Sequence, residues 1–148
     1  MRSFKKNPLP SLLMIMAALL LCWGGIARGA EVVVVVSVNS PITTLSRIEL
    51  INIFLGKTTY FPNGLRAYPI DQHVRSDSLE AFYLLYANKS AAQIKAYWSK
   101  MIFTGRGQPP KFLDNDEAIK QWVASNPNAI GYLDKRVVDE TLRIVRVH

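Results

Sequence analysis

The fold is decided by residues 32–57, which read VVVVVSVNSPITTLSRIELINIFLGK. The β-branched run Val32–Val36 predicts a central strand covered on both faces, as in a parallel sheet that lies between helices. Ser46 is followed three residues later by Glu49. This capping-box spacing predicts a helix that starts there and ends at Gly56. A strand followed directly by a helix is the first unit of an α/β pattern.

The rest of the chain continues this alternation of strands and helices. Apolar side chains at helical spacing predict one helix around Phe82 and another around Trp98, the second capped by Ser90 with Gln93. A third helix is expected after Asp114, with Glu117 in the cap and Ile119, Trp122 and Val123 facing inward. Extended segments are expected at residues 67–70, 129–133 and 142–147, with loops at residues 58–64, 71–77 and 105–110. Alternating elements select an α/β sandwich.

Residues 1–29 have the layout of a cleaved secretory signal peptide. Basic residues precede an apolar run from Leu12 to Trp23, and small residues follow it up to Ala30. The run is shorter than the roughly 20 residues that a membrane-spanning helix needs, so an uncleaved anchor is the less favoured alternative. Cleavage is expected after Gly29, with the next bond as second choice. The working domain is then residues 30–148, outside the cytoplasm.

Composition excludes several classes of protein. All 11 acidic residues and 14 of the 18 basic ones follow the cleavage point, so the mature net charge is +3. This mild and evenly spread charge does not indicate nucleic-acid binding. Cys22 is the single cysteine and lies in the signal peptide, which leaves neither a disulfide framework nor a thiolate metal site. The mature length suits one domain stabilised by an apolar core.

Two loops between a strand and a helix are candidate binding sites. In open α/β sheets ligands collect at strand ends, and the free backbone N–H groups at a helix start attract anions. The first loop follows the valine strand, and the second precedes the aromatic helix. The alternative is that their hydroxyls only cap helices. The candidate anion contacts are Ser40, Thr43 and Thr44 in the first loop and Arg75, Ser76 and Ser78 in the second.

No catalytic residue is expected. Asp71, His73 and Ser76 offer an acid, an imidazole and a hydroxyl, but three residues so close in sequence seldom reach the geometry of a nucleophilic triad. The chain also has no Gly-x-Ser-x-Gly motif. With His73 and His148 as the only histidines, no histidine metal site is predicted. The protein is therefore expected to be a non-enzyme without metal or cofactor.

The segment Leu45–Lys57, with its Ile-Phe-Leu-Gly-Lys ending, resembles phosphate-type periplasmic substrate-binding proteins, the receptors of phosphate ABC transporters. Tyr97-Trp98, Ile102–Gly105 and Asn126–Tyr132 resemble later segments of the same family. The resemblance implies a type II periplasmic-binding-protein-like fold with a mixed sheet flanked by helices. The receptors of this family close two lobes around the ligand, and the mature chain is long enough for a single lobe.

The resemblance also implies an anion site at the second loop. In that family a Ser-Gly-Thr segment at a helix start grips the anion, and a phenylalanine follows six residues after the serine. Phe82 lies six residues after Ser76, so Ser76-Asp77-Ser78 occupies this segment. Asp77 replaces the glycine, and its carboxylate would repel a phosphate dianion at close range. This departure argues against high-affinity phosphate binding.

The function expected from these features is that of a periplasmic substrate-binding-like protein for phosphate or a related oxyanion in ABC transport. Expected partners are an ABC transporter permease or a sensor protein, and a second copy of the chain. Neither nucleic acid nor, after cleavage, the membrane is an expected partner. The alternative is a periplasmic adaptor or sensory protein that keeps the fold without a small ligand.

Overall fold

The computed structural model describes residues 31–148, so the predicted signal peptide lies outside the described residues. No helix among residues 31–148 has both the length and the apolar character to cross a bilayer. The elements in chain order are β1 (Val32–Ser37), β2 (Thr44–Leu45), α1 (Arg47–Phe54), β3 (Tyr68–Gln72), α2 (Asp77–Ala87), α3 (Ala91–Phe103), β4 (Lys111–Leu113), α4 (Asp116–Ser125), β5 (Ala129–Asp134), a 3₁₀ turn (Lys135–Val137), β6 (Leu142–Ile144) and β7 (Arg146–Val147).

Five strands form one mixed sheet in the order β4-β3-β5-β1-β6, and β2 pairs with β7 in a separate small sheet. β3 runs parallel to both β4 and β5, whereas β1 runs antiparallel to both β5 and β6. The mixed α/β sheet and the interior position of the valine strand are confirmed. The prediction that the neighbouring strands run parallel to the valine strand is wrong. An apolar run indicates burial on both faces of a strand, and this burial does not depend on the direction of its neighbours.

The core has one layer on each face of the sheet. On one face, α1, α2 and α3 cover Val34 and Val36 with aromatic side chains such as Phe82. On the other face, α4 covers Val35 with Ile119 and Val123. Successive side chains of a strand point to opposite faces. The valine run is therefore apolar throughout because both of its faces are covered.

The predicted capping boxes are confirmed at the starts of α1 and α3. At α1, the Ser46 backbone N–H donates to Glu49 Oε2 at 2.7 Å, and the Glu49 N–H donates to Ser46 Oγ at 3.2 Å. Ser90 and Gln93 make the same reciprocal pair at α3. α1 ends beside Gly56, whose φ of 67° is the left-handed conformation that favours glycine after a helix.

Two extended segments differ from expectation. Asp71 and Gln72 were expected in a loop but belong to β3 and are buried. The sequence did not indicate a strand here, because both residues are polar and the groups that bond to them in the interior lie far away in sequence. The single strand expected at residues 142–147 divides at Val145, which is buried between β6 and β7. Pro69 was expected at an edge or a strand end, and it lies at the start of β3 beside β5.

The region before α4 holds further differences. β4 was not predicted, since three residues are too few to show a period. The cap of α4 is Asn115, whose Oδ1 accepts from the Ala118 N–H at 2.9 Å, rather than Asp114. Trp122 was expected in the core but is 37% exposed, with Lys111 Nζ 3.6 Å from the centre of its ring.

Candidate anion-binding site

The two predicted groups of anion contacts lie at opposite ends of the sheet. Val36, near the end of β1, pairs with Ile130, and Pro69, at the beginning of β3, pairs with the same residue. The C-terminal end of β1 is therefore level with the N-terminal end of β3. The first loop follows β1 and the second follows β3, so the structure does not bring the two groups together.

The first group connects its loop to the C-terminal strands. Ser40 is buried, and the Arg143 guanidinium donates to its carbonyl oxygen at 2.5 Å. The Thr44 hydroxyl donates to the Arg146 carbonyl oxygen at 3.1 Å. The Thr43 carbonyl oxygen accepts from the Arg146 N–H at 3.0 Å. These contacts give the loop a structural role that the sequence did not reveal.

The second group comes together at the start of α2. Ser76 is the N-cap, and its Oγ accepts from the Ser78 N–H at 3.1 Å. Ser78 is buried in the first turn. Arg75 is exposed, and its guanidinium makes no hydrogen bond or ion pair with any of residues 31–148. This arrangement places two hydroxyls and one cation at the positive end of an 11-residue helix.

Gln72 belongs to this site and was missed from the sequence. Its Oε1 accepts from the Ser76 hydroxyl at 2.5 Å. Its Nε2 donates to Asp116 Oδ1 at 2.5 Å and to the Tyr132 carbonyl oxygen at 3.1 Å. Gln72 thereby connects the start of α2 with the start of α4. The Ser76 hydroxyl must leave Gln72 before it can donate to an anion.

The buried carboxyl group of Asp71 holds the backbone of Gln72 by a hydrogen bond. Asp71 Oδ2 accepts from the Tyr83 hydroxyl at 2.7 Å, and Oδ1 accepts from the Tyr132 hydroxyl and from the Gln72 N–H. Burial raises the pKa of Asp71 above its usual value. Burial, together with the neighbouring Asp71 carboxylate, raises the pKa values of Tyr83 and Tyr132. This cluster fixes the end of β3 from which the second loop departs.

The Asp71, His73 and Ser76 side chains do not form a nucleophilic triad. Both Asp71 oxygens accept from tyrosine hydroxyls, and the Ser76 hydroxyl donates to Gln72. His73 Nδ1 accepts from the backbone N–H of Arg75 at 3.3 Å. A triad needs hydrogen bonds from the acid to the imidazole and from the imidazole to the hydroxyl. Neither bond is present.

The charges around the start of α2 are mixed. Asp77 is exposed in the first turn, and Asp116 is held nearby by Gln72. Arg75 is an exposed cation of the same loop. Arg136 pairs with Asp134 at 2.6 Å and lowers the pKa of Asp134 to about 2. A bound anion would therefore meet carboxylates as well as a guanidinium. Within residues 31–148 no group of three or more His, Cys, Asp or Glu side chains is placed to hold a metal ion.

Comparison with known proteins places the chain in a known fold. No family model and no curated protein matches the chain. An ABC-type phosphate transport receptor from Vibrio cholerae matches with a TM-score of 0.62 and 18% identity, over 78% of this chain and 45% of that one. PstS from Borrelia burgdorferi matches with a TM-score of 0.59 and 16% identity, over 79% and 47%. A candidate phosphate ABC transporter substrate-binding protein from Clostridium perfringens, solved with bound phosphate, matches with a TM-score of 0.63 and 21% identity, over 78% and 44%.

These likenesses show the fold. The chain has the architecture of part of a phosphate-type substrate-binding protein, as expected from the resemblance of its sequence segments. It spans less than half the length of each of these solved structures.

Proposed function

We propose that this chain is an exported, non-enzymatic substrate-binding-like protein that binds phosphate or a related oxyanion at the start of α2, for an ABC transport system. The observation that carries the proposal is the convergence of Ser76, Ser78 and Arg75 at one helix N-terminus. The likeness to phosphate-binding structures supports the choice of ligand. The periplasm is the proposed location, and the signal peptide at residues 1–29 is the proposed route.

The anion would be held by the donors of the first turn. The backbone N–H of Asp77 has no acceptor among residues 31–148, and the helix dipole favours negative charge there. Arg75 supplies an exposed guanidinium and Ser78 a largely buried hydroxyl. Because Asp77 and Asp116 repel a second negative charge, the monoanion would bind better than the dianion. We therefore expect weak binding, since Ser76 must also give up its hydrogen bond to Gln72.

The open side of the site would be covered by another molecule. The residues described at the start of α2 would contact an anion from one side. A second copy of the chain or a transporter permease would supply the opposite wall. A sensor protein is the corresponding partner if the protein signals instead of transporting.

Phosphate titration of the secreted protein tests the proposal. We expect the thermal midpoint to rise with phosphate up to about 20 mM, and not with chloride at equal ionic strength, because a ligand that binds only the folded state stabilises it. Arg75→Gln should weaken the response without touching the helix cap. Ser76→Ala should weaken it as well, but it also costs about 1 kcal/mol of cap stability. Ser99→Ala, exposed on α3, is the control.

An unchanged midpoint over the whole phosphate range would refute binding at α2. So would a rise that is the same in Arg75→Gln and in the parent protein.

One observation favours an adaptor role as a second candidate. Phe103 is 91% exposed at the end of α3, and Ile102 and Phe112 are also more than half exposed. Exposed apolar side chains of this size mark interaction surfaces when they lie together. In that case Phe103→Ser should abolish association with the partner, a transporter permease or a sensor protein, and phosphate should have no effect on that association.

A further inference from the structure

The positive charge of residues 31–148 is concentrated in one segment, contrary to the even spread expected from the sequence. Residues 81–113 contain five basic and no acidic side chains, and the other residues from 31 to 148 contain nine basic and eleven acidic ones. The segment comprises the second half of α2, then α3, the loop after α3, and β4. The excess of positive charge therefore comes entirely from this segment. Its basic side chains are Lys89, Lys95, Lys100, Arg106 and Lys111.

The outward face of α3 carries an exposed aromatic ring between two of these cations. Phe103, at the end of the helix, is 91% exposed. With 3.6 residues per turn, Lys95 and Lys100 lie about 80° and 60° from Phe103 around the helix, one on each side of it. The opposite face is buried through Ile94 and Trp98. The face with the ring and the two lysines is therefore the one that residues 31–148 leave exposed.

The loop after α3 adds a third cation to this face. The Arg106 backbone N–H donates to the Met101 carbonyl oxygen at 2.9 Å, which holds Arg106 beside the last turn of the helix. Ile102, in the same turn, is 52% exposed. None of the three cations forms an ion pair with a carboxylate of residues 31–148. We call this surface the α3 tip, and it consists of Lys95, Lys100, Ile102, Phe103 and Arg106.

We propose that the α3 tip binds the surface of a membrane that contains anionic lipids. The Phe103 ring inserts among the headgroups, and the three cations lie near the lipid phosphates. Basic side chains combined with an apolar group are what hold a peripheral protein on an anionic bilayer, since neither signal alone gives stable binding. Aromatic rings also favour the interface between headgroups and hydrocarbon.

The shape of the α3 tip favours a lipid surface over an acidic protein. Phe103 projects outward from the end of a helix, and a fluid headgroup layer adapts to a projecting ring without a matching pocket. A protein partner would need a pocket of complementary shape. The inference does not depend on oxyanion binding at α2. It departs from the expectation, drawn from the sequence, that the mature chain makes no contact with the membrane.

Sedimentation with lipid vesicles tests the proposal. The secreted protein is mixed with vesicles of phosphatidylcholine alone or of phosphatidylcholine with phosphatidylglycerol. We expect saturable binding to the anionic vesicles, little binding to the neutral ones, and weaker binding in about 0.5 M salt, because salt screens exposed charges. Phe103→Ser should weaken binding to anionic vesicles about tenfold through the loss of the inserted ring. Lys100→Gln and Arg106→Gln should each weaken it about fivefold.

Two matched variants separate the α3 tip from the overall charge and apolarity. Arg146→Gln removes one exposed positive charge, as Lys100→Gln does, but Arg146 follows β6, the sheet edge opposite β4. Ile48→Ser removes an apolar side chain that is 72% exposed on α1. Both variants should bind anionic vesicles like the parent protein. Circular dichroism checks that every variant is folded.

Two results would overturn the proposal. One is the absence of binding to anionic vesicles, which is the outcome expected if the α3 tip binds an acidic protein instead. The other is an equal loss of binding in Lys100→Gln and Arg146→Gln, since only the net charge would then matter.

Discussion

Replacement of Asp71 tests whether the buried polar cluster determines the geometry at the end of β3. Asp71→Leu keeps a similar volume and removes the acceptors of two buried hydroxyls, those of Tyr83 and Tyr132. Asp71→Asn keeps one oxygen, which can still accept from Tyr132 and from the Gln72 N–H. The two substitutions therefore separate the loss of charge from the loss of hydrogen bonds.

The expected magnitude follows from counting the orphaned groups. Each buried polar group left without a partner costs about 1–3 kcal/mol, so the loss of an acceptor for two hydroxyls in Asp71→Leu should lower the free energy of unfolding by about 2–6 kcal/mol at pH 7. Domains of this kind are stable by about 5–15 kcal/mol, so the loss would be large. Asp71→Asn should cost about 1 kcal/mol, because the Tyr83 hydroxyl can turn and accept from the new amide.

The pH dependence of the parent protein gives a second readout. Because burial raises the pKa of Asp71, the folded state holds the proton more tightly than the unfolded state. The stability from this group is full below about pH 3.9, its unfolded value, and is lost as the pH rises through the folded pKa. Asp71→Asn lacks this titration, so the advantage of the parent protein over Asp71→Asn should shrink as the pH rises.

Urea unfolding followed by circular dichroism, repeated from pH 4 to pH 8, measures both effects. Asp114→Asn is the matched control, since Asp114 is exposed, and it should change stability by less than about 0.5 kcal/mol. The reasoning fails if Asp71→Leu costs no more than Asp71→Asn, or if the difference between the parent protein and Asp71→Asn does not vary with pH.

Two further substitutions test the packing and the surface charges. In Gly131→Ala the new Cβ would lie 3.0 Å from Ile119 Cγ2, so thermal unfolding should show a loss of stability of about 1–3 kcal/mol. Gly107→Ala is the control and should be close to neutral, because the nearest neighbour of its Cβ lies at 3.6 Å. Equal thermal midpoints for the two variants would contradict this reasoning. Asp134→Asn removes the ion pair with Arg136, which lowers the pKa of Asp134 to about 2. The stabilisation from this ion pair is therefore present above about pH 4 and disappears as the pH falls toward 2. Acid unfolding curves of Asp134→Asn and the parent protein should therefore converge at low pH, and parallel curves would contradict the assignment.

Local features of the fold were predictable because their signals are local. The capping boxes of α1 and α3 are three-residue spacings, and the valine run reports burial directly. The direction of β1 relative to its neighbours was not predictable, because strand direction depends on pairing with β5, about a hundred residues along the chain. The position of Asp71 and Gln72 in β3 was missed for the same reason.

The candidate site was predictable in part. Ser76 and Ser78 were identified by their likeness to a family segment and by their place before a helix, and the structure puts both at the start of α2. The bond from Gln72 to Asp116 was not accessible, because it joins side chains 44 positions apart. That bond bears on the proposed oxyanion binding, because it holds Gln72 where it accepts from the Ser76 hydroxyl and brings the Asp116 carboxylate near the site.

The length of β3 decides between one anion site and two. The loop after β1 and the loop after β3 lie at opposite ends of the sheet, and the five residues of β3 alone span about 16 Å at roughly 3.3 Å per residue. An oxyanion is held by hydrogen bonds of about 2.9 Å, so one ion cannot contact both Thr44 and Ser76. The Thr44 hydroxyl donates to the Arg146 carbonyl oxygen and the Ser76 hydroxyl donates to Gln72, so neither hydroxyl is free. The second loop has the stronger claim to a ligand because it also offers the Asp77 N–H and the exposed Arg75. Oxyanion binding by this chain is therefore a question about the start of α2 alone.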